Sequence, residues 1–166
     1  MIDELDRQIL EIVQRDARIA NAEIARQVGL APSAVLERLR KMEERGVIRE
    51  YATKIDAATV GCGLTAFVFV KTKECMDGTD RELAAIPEVL EVHDVAGDDS
   101  YLLKVKTKNP EELGRLLREK LKPIGNVLST RTTIVLQTIK ETSALPLDVD
   151  SCDVSESSRR ARVKRA

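Results

Sequence analysis

The chain of 166 residues is 43% hydrophobic and 33% charged, enough apolar material for one medium domain or two small ones. Its 27 Lys plus Arg are balanced by 28 Asp plus Glu, so a nucleic-acid surface has to be a local patch rather than a property of overall charge. No apolar run approaches the roughly 20 residues of a membrane span, and the opening Met1-Ile2-Asp3-Glu4 lacks a basic region and hydrophobic core, from which a cytoplasmic protein with no membrane partner is expected.

The first fifty residues read as three short amphipathic helices. Leu5, Ile9, Ile12 and Val13 recur at helical spacing, then Ile24, Ala25 and Val28, then Val35, Leu39 and Met42. Gly29 closes the second helix, and Pro32 opens the third, where its missing N–H costs nothing. Ala25 is small where two helices cross closely, and Gly29 suits a sharp turn; together they predict a helix-turn-helix. The segment Val47–Ile55 looks extended and runs on through Gly61 and Gly63, a natural hinge.

Beyond the hinge the composition turns β-branched. Strands are expected at 64–71, 89–95, 101–107 and 127–140. Thr79 and Glu82 have the spacing of a capping box for one helix, which Pro87 terminates. Asn109 caps another, with Pro110 in its first position, Glu111 and Glu112 at its positive end, and Lys120 and Lys122 near the other. The order β-α-β-β-α-β is the ferredoxin-like pattern. From Glu141 the chain is polar, first acidic and then basic from Arg159 to Arg165, and reads as a disordered tail. The expected class is therefore α+β, a helix-turn-helix (winged) domain at 1–50, an extended linker at 51–63, a ferredoxin-like domain at 64–140 and a tail at 141–166.

On a helical wheel the third helix directs Val35, Leu36, Leu39 and Met42 inward and Ser33, Ala34, Glu37, Arg38, Lys41 and Arg45 outward, continuing toward Arg49. The N-terminal part of such a helix enters the major groove of double-stranded DNA, so Ser33, Ala34, Glu37 and Arg38 are placed at base edges and Lys41 and Arg45 at phosphates. Glu37 accepts from cytosine and Arg38 forks to guanine. A plain solvated face is the bland alternative, which the tri-helical context disfavours.

The turn Gly97-Asp98-Asp99-Ser100-Tyr101 offers carboxylate acceptors for an ammonium and hydroxyl or N–H donors for a carboxylate, which suits an amino acid; an ordinary polar turn has the same composition. His93 reads as structural. Cys62, Cys75 and Cys152 are widely spaced, so neither a metal site nor a disulfide framework is expected. Nothing pairs a nucleophile with a base and an orienting group, and no Gly-rich phosphate loop is present, so neither an enzyme nor a cofactor is expected.

The stretches Leu5–Leu10, Ala22–Leu30, Val35–Leu39 and Gly46–Ile48 closely resemble the N-terminal half of the Lrp/AsnC, or feast/famine, regulators. The stretch Ala96–Val105 resembles their ligand-sensing domain, and the resemblance covers residues 3 to 140. It implies a transcription factor whose ferredoxin-like domains pair through their sheets into homodimers able to ring into octamers. Effectors, usually amino acids, then sit between dimers near the glycine hairpin, here Gly97, Asp98, Asp99, Ser100 and Tyr101, with Thr130 and Thr132 on the last strand. Ser100 stands where many members carry an acidic residue, and Ala20 and Ala31 stand where serine caps are frequent. The competing classes are an architectural DNA-binding protein and a small-molecule sensor module without strong sequence specificity.

Overall fold

The computed structural model describes residues 2–73 and 78–147, and the chain divides into two compact units. Of the described residues, one holds 2–53 and 142–147, and the other holds the rest, from Lys54 to Glu141.

The first unit holds three helices, α1 (Glu4–Arg15), α2 (Asn21–Val28) and α3 (Pro32–Glu44). Asp3 caps α1 by accepting from the Asp6 N–H at 2.8 Å while the Asp6 carboxylate accepts from the Asp3 N–H at 3.2 Å, a reciprocal capping box. Gly29 ends α2 at φ +70, where a side chain would be strained. Ala20 and Ala31 provide no side-chain cap, as the sequence requires. Ile9, Leu10, Ile24, Ala25, Val35, Leu39 and Met42 form the core, with Val47 and Ile48 packed against it. Leu36 is a correction: it is 56% exposed, because the buried stripe of α3 passes through Val35, Leu39 and Met42 only.

The second unit carries β1 (Leu64–Thr72), α4 (Thr79–Ala84), β2 (Val89–Asp94), β3 (Tyr101–Thr107), α5 (Pro110–Arg115), which continues as a π-helical turn over Leu116–Leu121, and β4 (Val127–Ile134). The sheet order is β2-β3-β1-β4, antiparallel throughout, the ferredoxin-like arrangement. Ala66, Val68, Val70, Leu103 and Val105 bury one sheet face beneath Leu83, Leu113, Leu116 and Leu121 of the helices. Asn109 caps α5 by accepting from the Glu112 N–H at 2.9 Å.

Two local expectations are corrected. Thr79 lies inside α4 and is 3% exposed, its hydroxyl accepting from Asn126 at 3.1 Å, while the cap is Gly78 at φ +104. β4 stops at Ile134, opposite Ala66 and two residues short of the start of β1, and the ladder closes with the Val135 N–H donating to the Thr65 carbonyl. Residues 142–147 lie with the first unit, where Leu147 packs on the helical core and Leu145 pairs with Gln14. The remainder of the expected tail, 148–166, lies outside the described residues, as do Cys75 and Cys152; Cys62 is free and exposed.

Candidate functional site

The stripe expected to meet DNA falls on one side of α3. Ser33, Glu37, Lys41, Arg45 and Arg49 are exposed, and Ala34 and Arg38 are half-buried. Ala34, Glu37, Arg38, Lys41 and Arg45 line, with Asp6 and Met42, a shallow depression of about 320 Å³. The local reason is helical spacing, with Val35, Leu39 and Met42 anchoring the opposite side.

Charge pairing divides these residues into two groups. The Arg38 guanidinium donates through Nη1 to Asp3 and to Asp6, each at 2.7 Å, tying α3 to the first turn of α1. Asp6 is 7% exposed, so this bond neutralises a buried carboxylate. The Asp6 N–H and then Arg38 hold the Asp3 carboxyl below its usual value, and the two aspartates push Arg38 up. Glu37 accepts from Arg40 at 3.0 Å and pairs with Lys41 at 3.4 Å, and Arg40 holds its carboxyl below the usual range. Arg45 and Arg49, by contrast, hold no ion pair among the described residues. The free cations therefore lie at the end of α3, and the fork expected to read guanine is already engaged by protein.

Asp3 and Asp6 were absent from the residues expected at this site. Their signal was local, an acidic N-cap with a second acid three residues on, but the partner lies 35 positions from Asp3. On the other side of α3, Leu36 and Tyr51 join Val13, Ile19, Ile24 and Leu39 around an apolar groove of about 370 Å³. The Tyr51 hydroxyl donates to Glu43 at 2.7 Å, and burial, reinforced by that carboxylate, pushes the phenol up to about 12.

In the second unit the turn between β2 and β3 is closed by the Val95 N–H donating to the Ser100 carbonyl at 3.1 Å. Gly97 has φ +156, and a Cβ there would meet nothing within 4 Å. Asp98 is exposed. Ser100 staples the turn to β1: its N–H donates to the Val70 carbonyl at 2.9 Å, its hydroxyl accepts from the Thr72 N–H at 3.2 Å, and the two hydroxyls share a bond of 2.8 Å. Asp99 accepts from Arg131 at 2.8 Å, and that guanidinium lies 4.1 Å above the Phe69 ring.

Register separates the expected effector residues. Tyr101 pairs with Val70, Val70 with Thr130, and Val68 with Thr132, so all three lie on the face that carries the helices. Tyr101 packs against that core. Arg131 pairs with Phe69 on the opposite, open face, and draws Asp99 there. His93 is exposed at the β2 edge, 3.3 Å from Glu91, which also takes Lys104 at 2.9 Å. Among the described residues no group of His, Cys, Asp and Glu is arranged to hold a metal, and no helix is long and apolar enough to cross a membrane.

Residues 2–49 match the family model described as winged helix-turn-helix DNA-binding, and residues 65–145 match the Lrp/AsnC ligand binding domain. The HTH-type transcriptional regulator FL11 of Pyrococcus horikoshii is 40% identical over 147 residues, 88% of this chain and 97% of that protein. The leucine-responsive regulatory protein of Escherichia coli is 32% identical over 148 residues, 87% of this chain and 90% of its own. A Neisseria meningitidis transcriptional regulator solved in complex with L-Met superposes with a TM-score of 0.84 at 30% identity, covering 89% of this chain and 98% of that one. Escherichia coli AsnC superposes with a TM-score of 0.81 at 31% identity, covering 88% and 99%.

Proposed function

The chain belongs to the Lrp/AsnC family of transcriptional regulators, with a DNA-binding unit and a ligand-binding unit, and from that premise we propose how its residues divide the work. The protein is a cytoplasmic homodimer, able to assemble further to an octamer, that binds double-stranded DNA and answers to an amino acid. Ser33, Ala34 and Glu37 face base edges in the major groove, and Lys41, Arg45 and Arg49 grip phosphates. Arg38 acts from behind, holding α3 against α1. The observation that carries this reading is the exposed polar stripe of α3 continuing into two cations that hold no ion pair among the described residues.

The amino-acid class rests on the relative solved with L-Met. In this chain Asp98 and the N–H groups around Gly97 serve the ligand's ammonium and carboxylate, and Thr130 and Thr132 share the face of Tyr101. Ser100 and Asp99 shape the site, being engaged by Thr72 and Arg131. Dimers form through the open sheet face, where Phe67, Phe69 and Leu102 are only half-buried.

Selection of duplexes from a random pool, followed by titration over a range of salt, tests the DNA assignment. A regulator prefers its selected duplex to scrambled DNA by about a thousandfold or more. A ratio near unity would refute sequence-specific regulation and favour an architectural role, for which the engagement of Glu37 and Arg38 by protein already speaks. Calorimetric titration with the twenty amino acids, repeated on Gly97→Val, tests the effector site. Affinity retained in that variant would move the site elsewhere.

A further inference from the structure

The segment Thr142–Leu147 belongs by sequence match partly with the ligand-binding domain, whose model runs to residue 145, yet by packing it belongs with the helical unit. Its attachment is specific. Both backbone polar groups of Leu145 are taken by one side chain on the last turn of α1: the Leu145 N–H donates to Gln14 Oε1 at 2.7 Å, and Gln14 Nε2 donates to the Leu145 carbonyl at 3.3 Å. A side-chain amide used in this way imitates a strand neighbour, the means by which extended peptides are commonly held. Two residues on, Leu147 joins the apolar cluster of Ile9, Leu10, Val35 and Leu39. Two residues back from Ala144, the Thr142 hydroxyl accepts the Ala144 N–H at 3.1 Å and shapes the approach.

The far end of the same helix bears on α3. Asp3 and Asp6, in the first turn of α1, hold Arg38 at the middle of the reading helix. We propose that Thr142–Leu147 is a brace for the DNA-reading helix: it docks on the Gln14 end of α1 and fixes that helix, which fixes α3 through Asp3, Asp6 and Arg38. The proposal rests on the reading of α3 as the DNA contact. Because the brace follows Glu141, whose carboxylate is held by Lys104 and whose carbonyl accepts from Lys54 at 3.1 Å, it is a covalent path from the last strand of the sensor to the helices, additional to residues 54–63. With two side-chain bonds and one leucine, its docking is weak enough to be reversible.

The full-length protein is compared with Gln14→Ala/Leu147→Ala and with chains ending at Leu147 and at Glu141. Amide hydrogen exchange is measured throughout, together with affinity for the duplex the wild type selects from a random pool. The double variant and the chain ending at Glu141 should exchange about tenfold faster in α1 and α3 while β1–β4 are unchanged. Their affinity for the selected duplex should fall about fivefold or more. The chain ending at Leu147 should keep wild-type exchange in α1 and α3. Wild-type exchange and affinity in the double variant would overturn the brace. So would equal losses from both truncations, which would assign the effect to residues beyond it. A wild type that selects no sequence would refute the DNA reading of α3, and the exchange data would then decide the brace alone.

Discussion

Removing the Arg38 charge while keeping its apolar stem, as in Arg38→Met, isolates the bond that joins α3 to α1. Asp6 Oδ1 accepts from this guanidinium, in whose place Met offers no donor, and Asp6 is 7% exposed, so among the described residues the substitution leaves a largely buried carboxylate oxygen without its donor. Leaving such a group unsatisfied costs about 1–3 kcal/mol, toward the upper end for an ionised one. Breaking a fully buried pair costs about 3–5 kcal/mol, but the Arg38 side chain is 29% exposed and water relieves part of the penalty. About 2 kcal/mol is the resulting expectation, carried by Asp6. At roughly 4–8 °C per kcal/mol for a small domain, the helical transition should fall by about 10 °C. Calorimetry and circular dichroism on the full chain read this directly. Asp6→Asn removes the charge that needs neutralising, so the double variant should recover a coupling of about 1–2 kcal/mol. Affinity for DNA should drop alike for selected and scrambled duplexes, since the reading helix is misplaced as a whole. An unchanged melting profile with preference relaxed at a single base pair would refute this reasoning and return Arg38 to the role its sequence position suggests, a direct guanine contact.

Further outcomes are expected. Glu23, held at about 2 by hydrogen bonds from Arg26 and then Gln27, contributes stability that is complete above its unfolded value of 4.5 and is lost as pH falls toward 2; melting temperatures of Glu23→Gln should therefore decline less steeply over that window than the wild type's. Ala31→Ser supplies the missing acceptor at the start of α3, whose cap residue already has extended backbone, and should add about 0.5–1 kcal/mol; an unchanged or lower melting temperature would show that the hydroxyl does not cap. Deleting residues 157–166 removes Arg159, Arg160, Arg162, Lys164 and Arg165 and should weaken binding to random DNA at low salt while leaving discrimination between selected and scrambled duplexes intact, as a salt titration will show.

Local chemistry and periodicity were sufficient for much of this molecule. Apolar spacing set α1, α2 and α3, Gly29 and Asn109 marked helix ends that only their side chains or backbone freedom allow, and the order of strands and helices led to the ferredoxin-like sheet. Each is a decision made within a few residues, or by a pattern repeated along one element. Partners distant in the chain decided the rest. Arg38 lies on the polar side of its helix in either account, and only the approach of α1 turns it from a base reader into the counter-ion of Asp3 and Asp6. Thr79 has the sequence of a cap, yet packing draws its hydroxyl to Asn126. The apolar residues beyond Ile134 prolong a strand pattern, yet the ladder with β1 closes at Val135, and Leu136 is left almost fully exposed. Register then placed Thr130 and Thr132 on the face of Tyr101, with β1 between them, and sent Arg131 and Asp99 to the opposite face, because side chains alternate and a shift of one residue would exchange the two sets. The polar composition after Glu141 carries no sign of the contacts of Leu145 and Leu147, because Gln14 lies 131 positions from Leu145 and the helical core is completed only by the tertiary fold.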